Sequence, residues 1–493
     1  MAALTELNSS LKCFISWFSP VSTYGTIRWA QTLSLYAISH GFMLASGNAL
    51  YWDDWLFFSA NSSGDIPGPP AGSNECTRWC IPLRSWLESQ LTSSGAWTMR
   101  AVTFTYFPIT AWLLSRFLMR SNWLRFGEIS TITIIWLLLP VNGARVGLVM
   151  SYYSFSVLLF ALGAWMTLSH RPTTQVLSIL PLFWSMFTAS LQVFAFVLLA
   201  FLLAKLHTSR DGWQSVRVIV VAAVLIMPFV HRYLLPQVSS AFEITRDGYN
   251  SIQPAFMIRA MLFSALLICP LLYLLNRRRR QGTVSRESYQ LGIGLAVLAA
   301  GTFPYLAVGH FANLSDWILP FLPDESDWNS RHQLLQPFGL AVVLSAIAGM
   351  FRARMKHFVA VILIASMGLN IATYSGYYLD AMKQREFITA VTGAKAQLQD
   401  VYALVIDDQT PRFNARGRGI RSYEWTAMLN QATNENFVVG DNNIQFCQDS
   451  NPTRMLTITA SNGRLRSLVT GTIGISVDVA KLTLCDTSKM TTP

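Results

Sequence analysis

The chain has 493 residues, of which 52% are hydrophobic and 13% charged, and its formal net charge is +11. Soluble globular chains carry about twice that charged fraction, so the composition argues against a water-soluble enzyme. The excess Lys and Arg lie between apolar segments, which sets nucleic-acid binding aside in favour of membrane topology.

Residues 1–27 contain one short apolar stretch, Cys13–Phe18, followed by Pro20. This reads as an interfacial segment on the inner surface and not as a cleavable signal. Apolar runs follow at 28–50, 101–119, 129–147, 151–169, 174–188, 190–204, 217–233, 257–276, 289–309, 335–351 and 357–378. They predict an all-α polytopic membrane bundle of about eleven transmembrane helices over 28–378. The pair flanking Pro181 also reads as a broken or re-entrant hairpin.

Loops carrying Arg116, Arg120 and Arg125, then Arg277–Arg280, then Arg352, Arg354 and Lys356 fall on one side of that bundle. Acidic loops at 51–100 and 310–334 fall on the other. The positive-inside rule then puts the N-terminus in the cytoplasm and, with an odd span count, the C-terminus outside. The expected location is a bacterial inner (plasma) membrane, with a multi-pass chain and a periplasmic C-terminal domain.

Residues 379–493 lose the apolar pattern. An amphipathic helix is expected at 380–400 and another helix at 423–432, with strands at 401–406, 436–439, 455–459, 467–470 and 475–484. This order predicts a small α/β domain able to bury its own core. Arg412, Arg416, Arg418 and Arg421 read as a solvated basic loop on anionic headgroups, with a phosphate clamp as the alternative. Cys76 and Cys80, and Cys447 and Cys485, form two local pairs on the outer side, where disulfides are expected.

Candidate chemistry begins at Tyr51-Trp52-Asp53-Asp54-Trp55, directly after the first span. Adjacent carboxylates at a membrane surface are costly unless used. One can act as general base on a hydroxyl, while Trp52 and Trp55 offer flat faces to a sugar or headgroup. The plainer reading is a helix cap beside an aromatic belt. A second acidic loop holds His310 and Asp327, then Arg331 and His332 next to the following span. Arg331 suits a bidentate phosphate contact, and His332 can bind phosphate or carry a proton. Arg145 and Arg232 lie at outer span ends against the positive-inside bias, and together could neutralise a lipid phosphate.

A first span followed at once by an acidic pair in the outer loop resembles the GT-C superfamily of integral-membrane glycosyltransferases. That resemblance implies a catalytic base at Asp54, supported by Asp53, and a sugar donor linked to polyprenyl phosphate. The reaction it implies is an inverting transfer to a glycan, lipid or protein acceptor on the outer face. No cofactor is assigned, and a divalent cation (Mg, Mn or Ca) stays open as a helper. Walker A, HExxH and GxSxG motifs are absent from the sequence, which favours a lipid-linked donor over a nucleotide sugar. The competing classes are a transporter or flippase of a lipid-linked or anionic substrate, and a surface-glycan polymerase or ligase.

Overall fold

The computed structural model describes residues 27–52, 54–55, 95–121, 123–186, 188, 190–208, 214–229, 255, 258–259, 261–266, 285–307, 333–351, 354–399, 401, 403–435, 437–440 and 453–481. Within them the chain is mostly helical. The membrane-side helices are α1 (Trp29–His40), α2 (Phe42–Ala45), α3 (Ala96–Ser121), α4 (Phe126–Leu138), α5 (Val149–Thr167), α6 (Pro172–Leu177), α7 (Ile179–Ser185), α8 (Leu191–Thr208), α9 (Gln214–Phe229), α10 (Arg286–Ala307) and α11 (Gln336–Met350). They are followed by the long α12 (Met355–Gly393).

Among the described residues, three helices are long and apolar enough to cross a membrane: α5, α10 and α12. Shorter apolar helices occupy 126–138, 191–203, 215–224 and 336–350. Helix also covers the run at 101–119, while the run at 257–276 lies largely outside the described residues. The run at 174–188 is covered by α6 and α7, which meet at Ser178. Ser178 keeps a right-handed helical conformation, and Leu182 N donates to its carbonyl at 3.2 Å. Pro181, which has no N–H, leaves the Leu177 carbonyl without its helical partner.

Close helix contact uses small residues. A Cβ at Gly339 of α11 would stand 2.2 Å from the Leu298 backbone nitrogen of α10, so a side chain there would force the pair apart. One apolar core joins α1, α3, α4, α11 and α12 through residues such as Leu35, Ile135, Leu138, Ala341 and Leu363. A second joins α5, α7, α8 and α9 through Phe160, Leu182, Phe194 and Val221.

The last expected span, 357–378, and the helix expected from 380 form one continuous helix. Helix α12 continues unbroken to Gly393, and its sequence turns from apolar to charged at Asp380, Lys383, Arg385 and Glu386. The upper half carries the C-terminal domain: β1 (Ala403–Asp408), α13 (Ser422–Thr433), β2 (Val438–Val439), β3 (Thr453–Ala460), α14 (Arg464–Thr470) and β4 (Ile475–Lys481). The sheet order is β2-β1-β3-β4, parallel except for the β3–β4 pair. The expected strand at 467–470 is helical instead. Gly463 precedes this turn, and Gly471, at φ 70°, ends it in the left-handed conformation that favours glycine.

The core of this domain is shared. Phe387, Val391, Leu404, Trp425, Leu429 and Leu456 pack with Leu50, Trp55, Ala96, Met99 and Leu148 from the membrane side. The tail thus does not close its core alone, contrary to the expectation from its length.

Candidate functional site

The loop joining α4 to α5, residues 139–148, gathers the three segments that the sequence marks for chemistry. It contains Asn142 at φ 58°, a left-handed position, followed by a 3-10 turn over Gly143–Val146. Apolar Leu139 and Val141 fix one end in the bundle core. The other end begins α5, whose first N–H groups lack helical partners.

Asp54 supplies those partners. Its carboxylate accepts Leu148 N at 2.9 Å, Val149 N at 3.1 Å and Tyr51 N at 3.2 Å. The side chain is fully buried. Burial pushes its pKa up to about 6, against the pull of these donors and the Arg100 charge. Asp54 therefore anchors the N-terminus of α5, a helix distant in sequence. Both oxygens are engaged and shielded, so in this conformation it does not face an acceptor hydroxyl. Arg100 reinforces the joint by donating to the carbonyls of Val146 (2.9 Å), Gly47 and Ala49.

The tryptophans beside the acidic pair are buried as well. Trp55 lies in the core shared with the C-terminal domain. Trp52, at φ 48°, packs among Tyr51, Tyr374, Tyr377, Ala144 and Ala415. Neither presents an open face for a sugar. A bulky residue in this left-handed conformation is strained, and its surroundings hold it there. The Trp52 backbone N–H donates to Glu424 Oε2 at 3.3 Å, and the Arg418 guanidinium lies 5.4 Å from the Trp52 ring centroid.

Arg418 is the hub of a second network. It pairs with Asp380 (Nε–Oδ2 2.8 Å) and binds both oxygens of Glu424 at 2.9 and 2.8 Å. Asp380 also accepts Ala415 N at 3.0 Å and Gln384 Nε2 at 3.0 Å. Burial alone would lower the Arg418 pKa, and the Asp380 and Glu424 charges more than offset it, holding the guanidinium well above its ordinary value. One turn along α12, Lys383 Nζ reaches Asp408 Oδ2 and Asn414 Oδ1, both at 2.6 Å. Of the basic loop, Arg418 is thus a buried ion-pair centre, while Arg412 and Arg421 are exposed. Asp408 serves the Lys383 pair and the turn at Thr410, whose N and Oγ1 donate to it at 2.9 and 2.6 Å.

Arg145 is buried in the 3-10 turn. Its Nε donates to Asn142 O at 3.1 Å and its Nη2 to Val141 O at 2.7 Å, with the guanidinium 4.2 Å from the Phe107 ring centroid. Among the described residues no carboxylate pairs with it, and Nη1 has no hydrogen-bond partner. The Asn142 amide, also buried, is likewise without partners on either atom. Tyr36 of α1 makes a side-chain hydrogen bond with Arg145, and its ring stacks on that of His40 at 4.7 Å. Asn142 N donates to Gln333 Oε1 at 3.2 Å. Gln333 directly follows Arg331 and His332 in the sequence.

Asp53, His310, Asp327, Arg331, His332 and Arg232 lie outside the described residues, as do Cys76, Cys80, Cys447 and Cys485. Among the described residues, no three His, Cys, Asp or Glu side chains come together as a metal-ligand set. Sequence reading missed Arg100, Glu424, Asp380 and Gln333. Arg100, Asp380 and Gln333 sit at the margins of apolar runs, a placement that flags costly polar groups. Their partners are too distant in sequence to be paired by spacing. No protein-family model matches the chain, and a search of curated proteins finds no match. The fold and site define a helical membrane protein whose buried polar centre sits where its helices meet a small α/β domain.

Proposed function

We propose that the chain is an inverting glycosyltransferase of the GT-C type, moving a sugar from a polyprenyl-phosphate carrier to an acceptor on the outer face of a bacterial inner membrane. The observation that carries this reading is the convergence on loop 139–148. Asp54 of the acidic pair bonds to it, and so does Gln333, the residue that follows Arg331 and His332 in the sequence. Arg145, buried and without a carboxylate partner among the described residues, belongs to the same turn. A buried donor of this kind is costly unless a ligand anion occupies it.

In this mechanism Asp54 positions the loop and Asp53 takes the proton from the acceptor hydroxyl. The freed oxygen forms a bond to the anomeric carbon. The bond from that carbon to the phosphate oxygen breaks, with inversion. Prenyl phosphate leaves with the electron pair, and Arg145 and Arg331 neutralise its charge. The competing reading, a transporter or flippase of a lipid-linked anion, draws on the same buried donors but predicts an intact substrate.

The test is consumption of synthetic prenyl-phosphate hexoses and pentoses by the full-length protein in liposomes. Asp53→Asn should stop consumption and leave thermal stability unchanged. Asp54→Asn should lower both. Full turnover by Asp53→Asn would remove the mechanism, and movement of intact donor across the bilayer would favour transport.

A further inference from the structure

Large apolar side chains left exposed among the described residues lie in the membrane-side segments and the apolar half of α12, with two exceptions. Leu465 and Val469 of α14 belong to the C-terminal domain and are the most exposed of all, at 81% and 87%. They are four residues apart on one short helix, so they share a face. The opposite face is anchored: Ser467 is fully buried, and Leu468, on the flank, packs against the cluster of Leu379, Met382, Phe413 and Ile473. Those α12 residues mark the first turn beyond the apolar half of the helix, where Asp380 and Lys383 begin the charged half. The level of α14 is therefore set by the packing. It lies beside the turn at which α12 passes from apolar to charged residues.

Arginines border this face. Arg464 and Arg466 flank Leu465 in the sequence. Arg412, exposed, donates to Ala460 O at 3.4 Å and Asn462 O at 3.2 Å, at the mouth of the same helix. An apolar pair rimmed by arginines at such a turn matches an amphipathic interfacial helix. We infer that α14 is a membrane foot: Leu465 and Val469 insert among the acyl chains of the outer leaflet, and Arg464, Arg466 and Arg412 hold anionic headgroups. Each arginine is expected to contribute about a fivefold preference for an anionic surface. The foot and the network on Arg418 then hold the domain at two levels.

A photoactivatable diazirine amino acid in place of Leu465 tests this. The full-length protein is reconstituted at one copy per nanodisc, in phosphatidylcholine alone or with phosphatidylglycerol. The control site is Thr389, exposed on α12 and about 16 Å further along the helix. Lipid adducts should dominate at position 465 and be absent at 389. The double change Arg464→Glu and Arg466→Glu should abolish the bias towards phosphatidylglycerol while leaving the protein's melting temperature unchanged. Equal adducts at the two positions would overturn the proposal. So would adducts at 465 that appear only with a second copy of the protein in discs loaded with two.

Discussion

Burial raises the pKa of Asp54 to about 6 from an ordinary 3.8, and this fixes the sign of its contribution to stability. Between those values the folded state keeps a proton that the unfolded state releases. Stability from this group therefore falls as pH rises through the window and is flat above it. The full effect is on the order of 2–3 kcal/mol. Relative to Asp54→Asn, the native protein should gain stability when the pH is lowered from about 7.5 to about 5. Parallel thermal-unfolding profiles would contradict the assignment. The sequence marks Asp54 by its place after an apolar run, and a helix cap is one of its two readings. The helix that it caps begins 95 residues later in the chain, at Val149. No local pattern encodes that partner.

At the scale of elements, α12 is a strut whose charged half is satisfied by the domain it carries. Besides Asp380 and Lys383, Glu386 accepts Ile473 N and Gly474 N, both at 2.6 Å, which ties the start of β4 to the helix. Removing the centre of such a network should hurt more than removing all of it. Arg418→Met leaves two buried carboxylates unpaired and should cost about 3–5 kcal/mol. The triple change Asp380→Leu, Arg418→Met and Glu424→Leu should cost less, as read by denaturant unfolding. A larger loss in the triple variant would show that the ion network is itself a net source of stability. Strands β1, β3 and β4 and helix α13 follow from β-prone runs and amphipathic spacing in the sequence. The stretch at 467–470 does not, because its β-branched residues are offset by flanking glycines and by Leu468, which packs on α12. The continuity of α12 past 378 is also hidden from hydropathy, since a change of solvent alters composition without ending a helix.

For the whole molecule, the shared core means that the C-terminal domain is completed by the membrane region. A fragment of residues 395–493 lacks Phe387, Val391, Leu50, Trp55 and Met99, all of which line that core. It should show no cooperative thermal transition in solution, and a sharp transition would contradict the account. Composition alone makes the membrane class legible, because long apolar runs with so few charges leave too little polar surface to keep a chain of this size in water. The meeting of the acidic pair, Arg145 and the end of the 310–334 loop depends on contacts between segments far apart in sequence, which only the fold supplies.

Binding of a long-chain prenyl phosphate to the purified full-length protein tests the proposed site most directly. Arg145→Ala and Arg331→Ala should each weaken binding by about tenfold or more, as the loss of a charge-assisted contact requires, measured at a temperature where each variant is folded. Unchanged affinity in both variants would mean that the buried guanidinium and Arg331 do not serve a lipid phosphate, and the reading of this centre as a transferase site would fall.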